Sequence, residues 1–234
     1  MWLFLVFTYW IAVAMLGQIR YVGLAASTVL LPAFSVSFMA MCATLDSGGA
    51  LQPALLFSGF RREPARLITL GVVYLVSIVA VLGAASVADA GALLHWVVSG
   101  REPPVEILMD GSVSRALMLA ALAGTPVLMA FWFAPVLAAW DRMSAAKSLF
   151  FSFFAMWRNW RAFCVYGAVL ALAGVVFLLA VTLAAMATQG QMQTLRFFAL
   201  LLTLLTLPIL FGSFYASYRD VFPENAIPAY PPPQ

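Results

Sequence analysis

Very few residues in this 234-residue sequence have side chains suited to catalysis or metal binding. His95 is the single histidine, and the two cysteines, Cys42 and Cys164, lie in apolar runs without a CxxC partner or a nearby histidine. One histidine cannot complete a metal triad, a two-histidine haem site or a Ser-His-Asp set. No GxxxxGK[ST] or GxGxxG element for nucleotide binding is present. The sequence therefore predicts no catalytic residue, no metal, no cofactor and no enzymatic activity.

Among the remaining ionisable residues, the cations indicate contacts with anionic groups. Asp46, Asp89 and Asp141 come at the ends of apolar stretches, where water can reach them. Cations that flank aromatic-rich segments could bind phosphate head groups through charge-assisted hydrogen bonds. The candidate head-group contacts are Arg61, Arg62, Arg66, Lys147, Arg158 and Arg161. The alternative is that these cations only orient the chain, because charge alone does not separate a lipid site from a topogenic signal.

The composition indicates an integral membrane protein. Hydrophobic residues make up 65% of the chain and charged residues 9%, and the mean hydropathy is +1.01. Soluble domains carry roughly 25% charged residues, so this chain lacks the polar exterior that a soluble fold needs. The net charge of +3 comes from scattered cations without a recognition motif, which excludes nucleic acid as a partner and favours membrane lipids.

Six stretches reach the ~20 apolar residues that a transmembrane helix needs. They are residues 2–19, 22–44, 67–88, 116–139, 164–187 and 195–217. Helices are expected because an open sheet would leave backbone groups unpaired in lipid. The first stretch is expected to be a retained helix, since no Lys or Arg precedes it as in a signal peptide. We predict one transmembrane domain over residues 1–220 and a disordered, Pro-rich cytoplasmic tail over 221–234.

The orientation follows from the loop cations. Eight of the twelve Lys and Arg residues flank the second, fourth and sixth stretches at their C-terminal ends, and four lie on the other side. Positive residues stay in the cytoplasm. The prediction is a multi-pass protein of a bacterial inner membrane with both termini in the cytoplasm.

Two cytoplasmic loops resemble amphipathic helices. In residues 144–163, small and polar residues (Ser148, Ser152, Ala155, Asn159) line one helical face. The opposite face carries the predicted aromatic anchors Phe150, Phe153, Phe154, Trp157 and Trp160. Such a helix is suited to lying in the membrane interface with its rings in the acyl boundary. Residues 50–66 are a weaker version, and Pro64 marks the start of the third span.

An internal repeat links the even-numbered stretches. Each has a proline, an aromatic residue six positions later and an alanine eight positions later, beginning at Pro32, Pro126 and Pro208. A shift of 94 residues also carries the sequence FSGF (57–60) onto FSFF (151–154). The repeat predicts three parallel helix hairpins with proline kinks at equivalent positions. The kinks could open a central cavity, or they could only shape helix packing.

Two strings resemble a known family. MAFWFAPVLAAWDRMSAAKSLFFSFFAMWRNWRAFCVYG (129–167) and SFYASYRDVF (213–222) are similar to a family of proteobacterial six-span inner-membrane proteins with no assigned activity. More distantly, the layout resembles the membrane domain of some glycerophosphodiesterases. The resemblance implies a location and a fold, and it implies no mechanism.

The leading functional hypothesis is a non-catalytic inner-membrane protein that contacts lipid head groups or a protein partner, including a second copy of itself. It would serve envelope maintenance or act as an accessory subunit. The alternative is a small-solute transporter or channel between the Pro-containing spans. That hypothesis predicts polar lining residues such as Thr125, Thr206 and Ser213.

Overall fold

The computed structural model describes residues 2–17, 19–188 and 191–223, and every secondary-structure element in these ranges is helical. Apolar segments form helices because each backbone N–H and C=O then finds a partner inside the segment. The described α-helices are α1 (Trp2–Gly17), α2 (Arg20–Asp46), α3 (Ser58–Arg61), α4 (Pro64–Asp89), α5 (Ala92–Ser99), α6 (Val105–Met109), α7 (Ser112–Phe131), α8 (Ala134–Trp140), α9 (Ala145–Arg158), α10 (Trp160–Ala187) and α11 (Met192–Val221). A 3₁₀ helix, Pro53–Phe57, precedes α3.

Within the described residues, five helical segments are long and apolar enough to cross a membrane. They are Val22–Asp46, Pro64–Asp89, Ser112–Trp140, Trp160–Ala187 and Gln193–Val221, and they contain the second to sixth predicted spans. Helix α1 is apolar but has only 16 residues. Its length of about 24 Å falls short of the ~30 Å hydrocarbon core, so the first of the six spans stays a prediction.

The chain packs as two compact units. The central unit comprises residues 12–37 and 57–154, and the terminal unit comprises residues 1–11, 38–56 and 155–234. Helix α11 ends one residue beyond the predicted domain boundary at 220. Most of the predicted tail, from residue 224 onward, lies outside the described residues.

In the central unit the backbones of α2 and α4 approach closely. Gly71 of α4 is buried against the backbone of Val29, and a side chain at this position would meet the Val29 carbonyl group. Gly59 of α3 packs in the same way on Ala33, and its N–H donates to the Ser37 hydroxyl at 3.0 Å. Small residues at such contacts let helices pack by van der Waals attraction where apolar burial from water is absent.

The main core of the central unit lies where α2, α4 and α8 meet. Its buried members are Ala33, Val36, Leu67, Leu70, Ala134, Ala138 and Ala139. Helices α4 and α7 form the most extensive pair in the described structure, and Ala85, Leu93 and Ala116 make a second cluster between them and α5. The core is rich in alanine, which again brings helix axes close together.

The helix of the fourth predicted span is interrupted between α7 and α8, at Trp132 and Phe133. Pro135 follows the interruption, and its ring excludes the ordinary helical position of the Phe131 carbonyl. The Ser152 hydroxyl bridges the gap, because it accepts the Phe133 N–H at 2.9 Å and donates to the Met129 carbonyl at 2.9 Å. These two backbone groups are the i and i−4 partners of a normal helix. The Ser152 side chain of α9 thus takes the place of the backbone hydrogen bond that is missing between Phe133 and Met129.

The three repeat prolines lie inside continuous helices. Pro32 is within α2, Pro126 within α7 and Pro208 within α11. The interruption precedes Pro135, which was not singled out in the sequence. The kinks predicted at the repeat prolines therefore stay a prediction, and the described break comes from a different residue.

In the terminal unit, α2 and α11 run in the same direction. The rings of Phe38 and Phe211 stack with centroids 4.2 Å apart, and Arg219 Nη1 lies 2.6 Å from Asp46 Oδ2. Both pairs are 173 residues apart, whereas the sequence repeat aligns Phe38 with Phe214, 176 residues away. The two helices therefore pack three residues, nearly one turn, out of the register of the repeat.

Candidate functional site

Most of the predicted amphipathic segment 144–163 forms α9 (Ala145–Arg158), and its last residues, from Trp160, belong to α10. The first turn of α9 is capped by Ser144, whose hydroxyl accepts the Lys147 N–H at 3.4 Å. On its inner face Ser148 and Ser152 are fully buried. The Ser148 hydroxyl donates to the Ala145 carbonyl, and Ser152 occupies the α7–α8 break. The serine face of α9 is therefore the face that packs on protein.

The aromatic face of α9 is exposed. The exposed fractions are 58% for Phe150, 47% for Phe151, 45% for Phe154 and 61% for Trp157. The rings of Phe150 and Phe154 are neighbours, with centroids 4.6 Å apart. This arrangement is the reverse of a soluble amphipathic helix, which buries its aromatic side chains, and it is suited to lipid.

Two predicted anchors differ from the rest, and one anchor was missed. Phe153 is half-buried at the edge of the aromatic face, and Trp160 is exposed but belongs to α10. Phe151 was not predicted as an anchor. Its spacing of three residues from Phe154 puts it on the same helical face and could have identified it.

The predicted head-group cations have different surroundings. Arg61 and Lys147 are exposed in the central unit, and Arg62 is half-buried there. In the terminal unit Arg158 ends α9, where its charge complements the negative end of the helix dipole. Arg161 lies over the Trp160 ring, 5.6 Å from its centroid.

Arg66 is engaged in a charged cluster with Glu63 and Arg142. Its Nη1 atom donates to the Arg142 carbonyl at 2.6 Å and lies 3.4 Å from Glu63 Oε2. Arg142 Nε is 3.7 Å from the other Glu63 oxygen, and the Arg142 side chain is 81% exposed. Glu63 partly neutralises Arg66, so Arg142 is the more available of the two cations. In the sequence, Arg142 is one of the eight cations that predict the orientation, and it was not predicted as a head-group contact.

A second charged cluster joins the ends of α2 and α11 in the terminal unit. Besides its 2.6 Å contact with Arg219, the Asp46 carboxylate accepts the Tyr215 hydroxyl at 3.2 Å. Tyr215 is 7% exposed, while the side chains of Asp46 and Arg219 are 38% and 41% exposed. No sequence signal short of the fold connects residues 173 positions apart.

The other carboxylates of interest act as helix caps. Asp89 accepts the N–H groups of Gly91 and Leu93, at 3.0 and 2.6 Å, where α5 begins. Asp110 accepts the Ser112 N–H at 2.7 Å at the start of α7. Hydrogen bonds from the Ser112 side chain and backbone lower the pKa of Asp110. His95 is exposed on α5, and its Nδ1 atom lies 3.3 Å from the Ser99 hydroxyl.

The transporter hypothesis named three polar residues. Thr125 and Thr206 donate their hydroxyls to carbonyls four residues earlier, Ala121 and Leu202. Ser213 donates to Leu210 and also contacts the Tyr166 hydroxyl at 2.8 Å. Hydroxyls in apolar helices bond in this way whether or not a pore is present.

Comparison with known proteins gives one informative match. A protein of Burkholderia thailandensis named as a probable inner membrane protein is 36% identical over 226 residues, which cover 93% of this chain and 83% of the relative. No family model matches the chain, and no solved structure matches it. The distant resemblance to glycerophosphodiesterase membrane domains stays a prediction. Because the match spans most of both chains, the chain belongs to the family of this probable inner membrane protein, and several of its described helices are of membrane-spanning length.

Proposed function

We propose that the protein is a non-catalytic inner-membrane protein whose α9 lies in the membrane interface and contacts lipid. The observation that carries the proposal is the orientation of α9, with serines buried against the protein and aromatic rings exposed. An exposed aromatic face is costly in water and favourable at the acyl boundary. This role requires no ionisable group for catalysis, and the binding partner of α9 is the lipid itself.

The basic residues around α9 supply the head-group contacts in this proposal. Lys147 lies in its first turn, Arg158 in its last, and Arg161 follows in α10. Cations at this level attract anionic lipids by ~1 kcal/mol each, and the attraction is weakened by salt. The central unit, which contains Lys147, has two further exposed cations in Arg61 and Arg142. A role in envelope maintenance or as an accessory subunit would use this surface.

We further propose six spans as three hairpins with both termini in the cytoplasm. The Asp46–Arg219 pair supports this, because it joins the C-terminal ends of the second and sixth spans. Helix α1 packs beside α2 through Tyr9, whose ring lies 5.2 Å from that of Phe38. A reporter active only outside the cytoplasm, fused after Gln234, should be inactive, and strong activity would contradict this topology.

The described contacts of the polar residues named for the transporter alternative do not distinguish it from packed helices. Its three polar candidates bond backbone carbonyls within their own helices.

The position of α9 predicts how spin labels on its two faces respond to apolar and polar relaxation agents. In a background of Cys42→Ala and Cys164→Ser, nitroxide labels at F151C and F154C in bilayers should collide often with oxygen and rarely with a water-soluble nickel chelate. A label at S148C should be protected from both, because Ser148 is fully buried. The readout is the power-saturation depth parameter of each label.

An exposed loop position outside the interface, E102C, is the matched control and should collide mainly with the nickel chelate. Arg158→Gln with Arg161→Gln should remove any change in the F154C signal when anionic lipid is added. If the F154C label is as accessible to nickel as the E102C label, α9 faces water and the proposal is wrong.

A further inference from the structure

The cytoplasm-proximal end of α11, as we propose it, carries a small open pocket. Ala216, Arg219, Asp220 and Pro223 line a cavity of about 250 Å³. Pockets for drug-sized ligands occupy ~300–1,000 Å³, so this cavity suits a small polar group. It lies in the terminal unit.

Arg219 is held in a fixed position at this pocket. Asp46 accepts one of its N–H groups at 2.6 Å, and the buried Tyr215 hydroxyl donates to the same carboxylate oxygen. A guanidinium has five N–H donors in a rigid fork. The remaining donors of Arg219, whose side chain is 41% exposed, are free to bind the oxygens of a phosphate group.

The charge balance selects the kind of phosphate. Asp46 already neutralises Arg219, and the exposed Asp220 adds a negative charge to the pocket wall. A purely anionic ligand would be repelled by Asp220. A zwitterion that presents a phosphate to Arg219 and an ammonium to Asp220 satisfies both side chains. A primary ammonium can donate to the carboxylate, whereas a quaternary one has no N–H to donate.

The level of the pocket in the membrane fits a lipid head group. Arg219 lies two residues before the end of the apolar segment Gln193–Val221, and Asp46 ends the segment Val22–Asp46. Polar groups at the ends of spans lie at the level of the head groups.

We propose that this pocket binds a phosphoethanolamine group, as carried by phosphatidylethanolamine. The proposal goes beyond the α9 surface and does not depend on it, because the two sites share no residue.

The test is retention of lipids by the full-length protein. Protein from nanodiscs containing phosphatidylethanolamine, phosphatidylcholine and phosphatidylglycerol would be released into detergent, and the bound lipids counted by native mass spectrometry. Wild type should retain phosphatidylethanolamine preferentially. Asp220→Asn removes the ammonium acceptor, and Ala216→Met fills the pocket. Each should lower this retention roughly fivefold, as expected for one partly exposed charge-assisted contact.

Both variants leave the Arg219–Asp46 pair in place and change exposed residues, so we expect them to fold. Glu102→Gln removes a carboxylate from an exposed loop position and should leave retention unchanged. A thermal shift with soluble glycerophosphoethanolamine, absent with glycerophosphocholine, would show that the free group binds too, whereas retention without that shift would assign the site to lipid. Equal retention of phosphatidylethanolamine and phosphatidylcholine by wild type, or unchanged retention by Asp220→Asn, would overturn the proposal.

Discussion

Replacing Gly71 by alanine should destabilise the protein by about 3 kcal/mol, at the upper end of the usual cost of overpacking. An added Cβ would lie 2.7 Å from the carbonyl carbon of Val29 and 2.8 Å from its Cα, with the carbonyl oxygen closer still. All three are backbone atoms of α2, so no side chain can rotate to make room, and α2 and α4 must separate. In detergent the melting temperature should fall by roughly 6–12 °C.

Gly83→Ala is the matched control, because it makes the same change in the same helix. No atom lies within 4 Å of a Cβ added at Gly83. Alanine is favoured over glycine inside a helix by up to ~1 kcal/mol, so this variant should be as stable as wild type or slightly more stable. Equal losses for the two variants would show that α2 and α4 are not in close contact at Gly71.

Ser152→Ala should be the second most damaging change, because it removes a hydrogen bond from each of two backbone groups. Phe133 N–H and Met129 C=O both lose the serine hydroxyl that joins them. They cannot simply bond to each other, since Pro135 prevents the helix from closing. An unsatisfied buried group costs ~1–3 kcal/mol, so the loss should be about 2–4 kcal/mol, measured by thermal unfolding in detergent.

Ser77→Ala provides a comparison. The Ser77 hydroxyl is exposed and donates only to the Val73 carbonyl of its own helix, so its removal should change stability by less than ~0.5 kcal/mol.

Pro135→Ala tests the mechanism of the break directly. Without the proline ring α7 and α8 can join, and Met129 can accept the Phe133 N–H itself. The cost of Ser152→Ala should then fall well below its value in wild type, which a double-mutant cycle measures as a coupling energy. An unchanged cost in the Pro135→Ala background would mean that the hydroxyl stabilises something other than the interrupted turn.

The position of that break shows where sequence reasoning stopped. Pro32, Pro126 and Pro208 recur at matching positions of the sequence, and this recurrence predicted kinks there. All three lie within continuous helices, and the interruption comes before Pro135. A proline can be accommodated when neighbouring groups satisfy the freed backbone. Whether it breaks the helix depends on a partner such as Ser152, which is 19 residues from Phe133.

The helical wheel of residues 144–163 separated the two faces of α9 correctly but not completely. It grouped Ser148 with Ser152 opposite Phe150, Phe154 and Trp157, and these two sets are respectively buried and exposed. The wheel could not predict that the Ser152 hydroxyl would hydrogen-bond the backbone at the α7–α8 break, nor that Phe153 would be half-buried. Those outcomes depend on what α9 packs against.

The sequence by itself determined that lipid surrounds this protein and which segments form helices that cross the membrane. Apolar runs of about 20 residues fold as helices in lipid whatever their neighbours, because each run satisfies its own backbone. Only the tertiary structure decided which helices touch and in what register: Gly71 on Val29, Ser152 in the α7–α8 break, and Asp46 on Arg219. Lipid surrounds apolar side chains as readily as protein does, so hydrophobicity cannot choose among helix pairings. Small residues and a few polar contacts make that choice, and they meet only when the chain has folded.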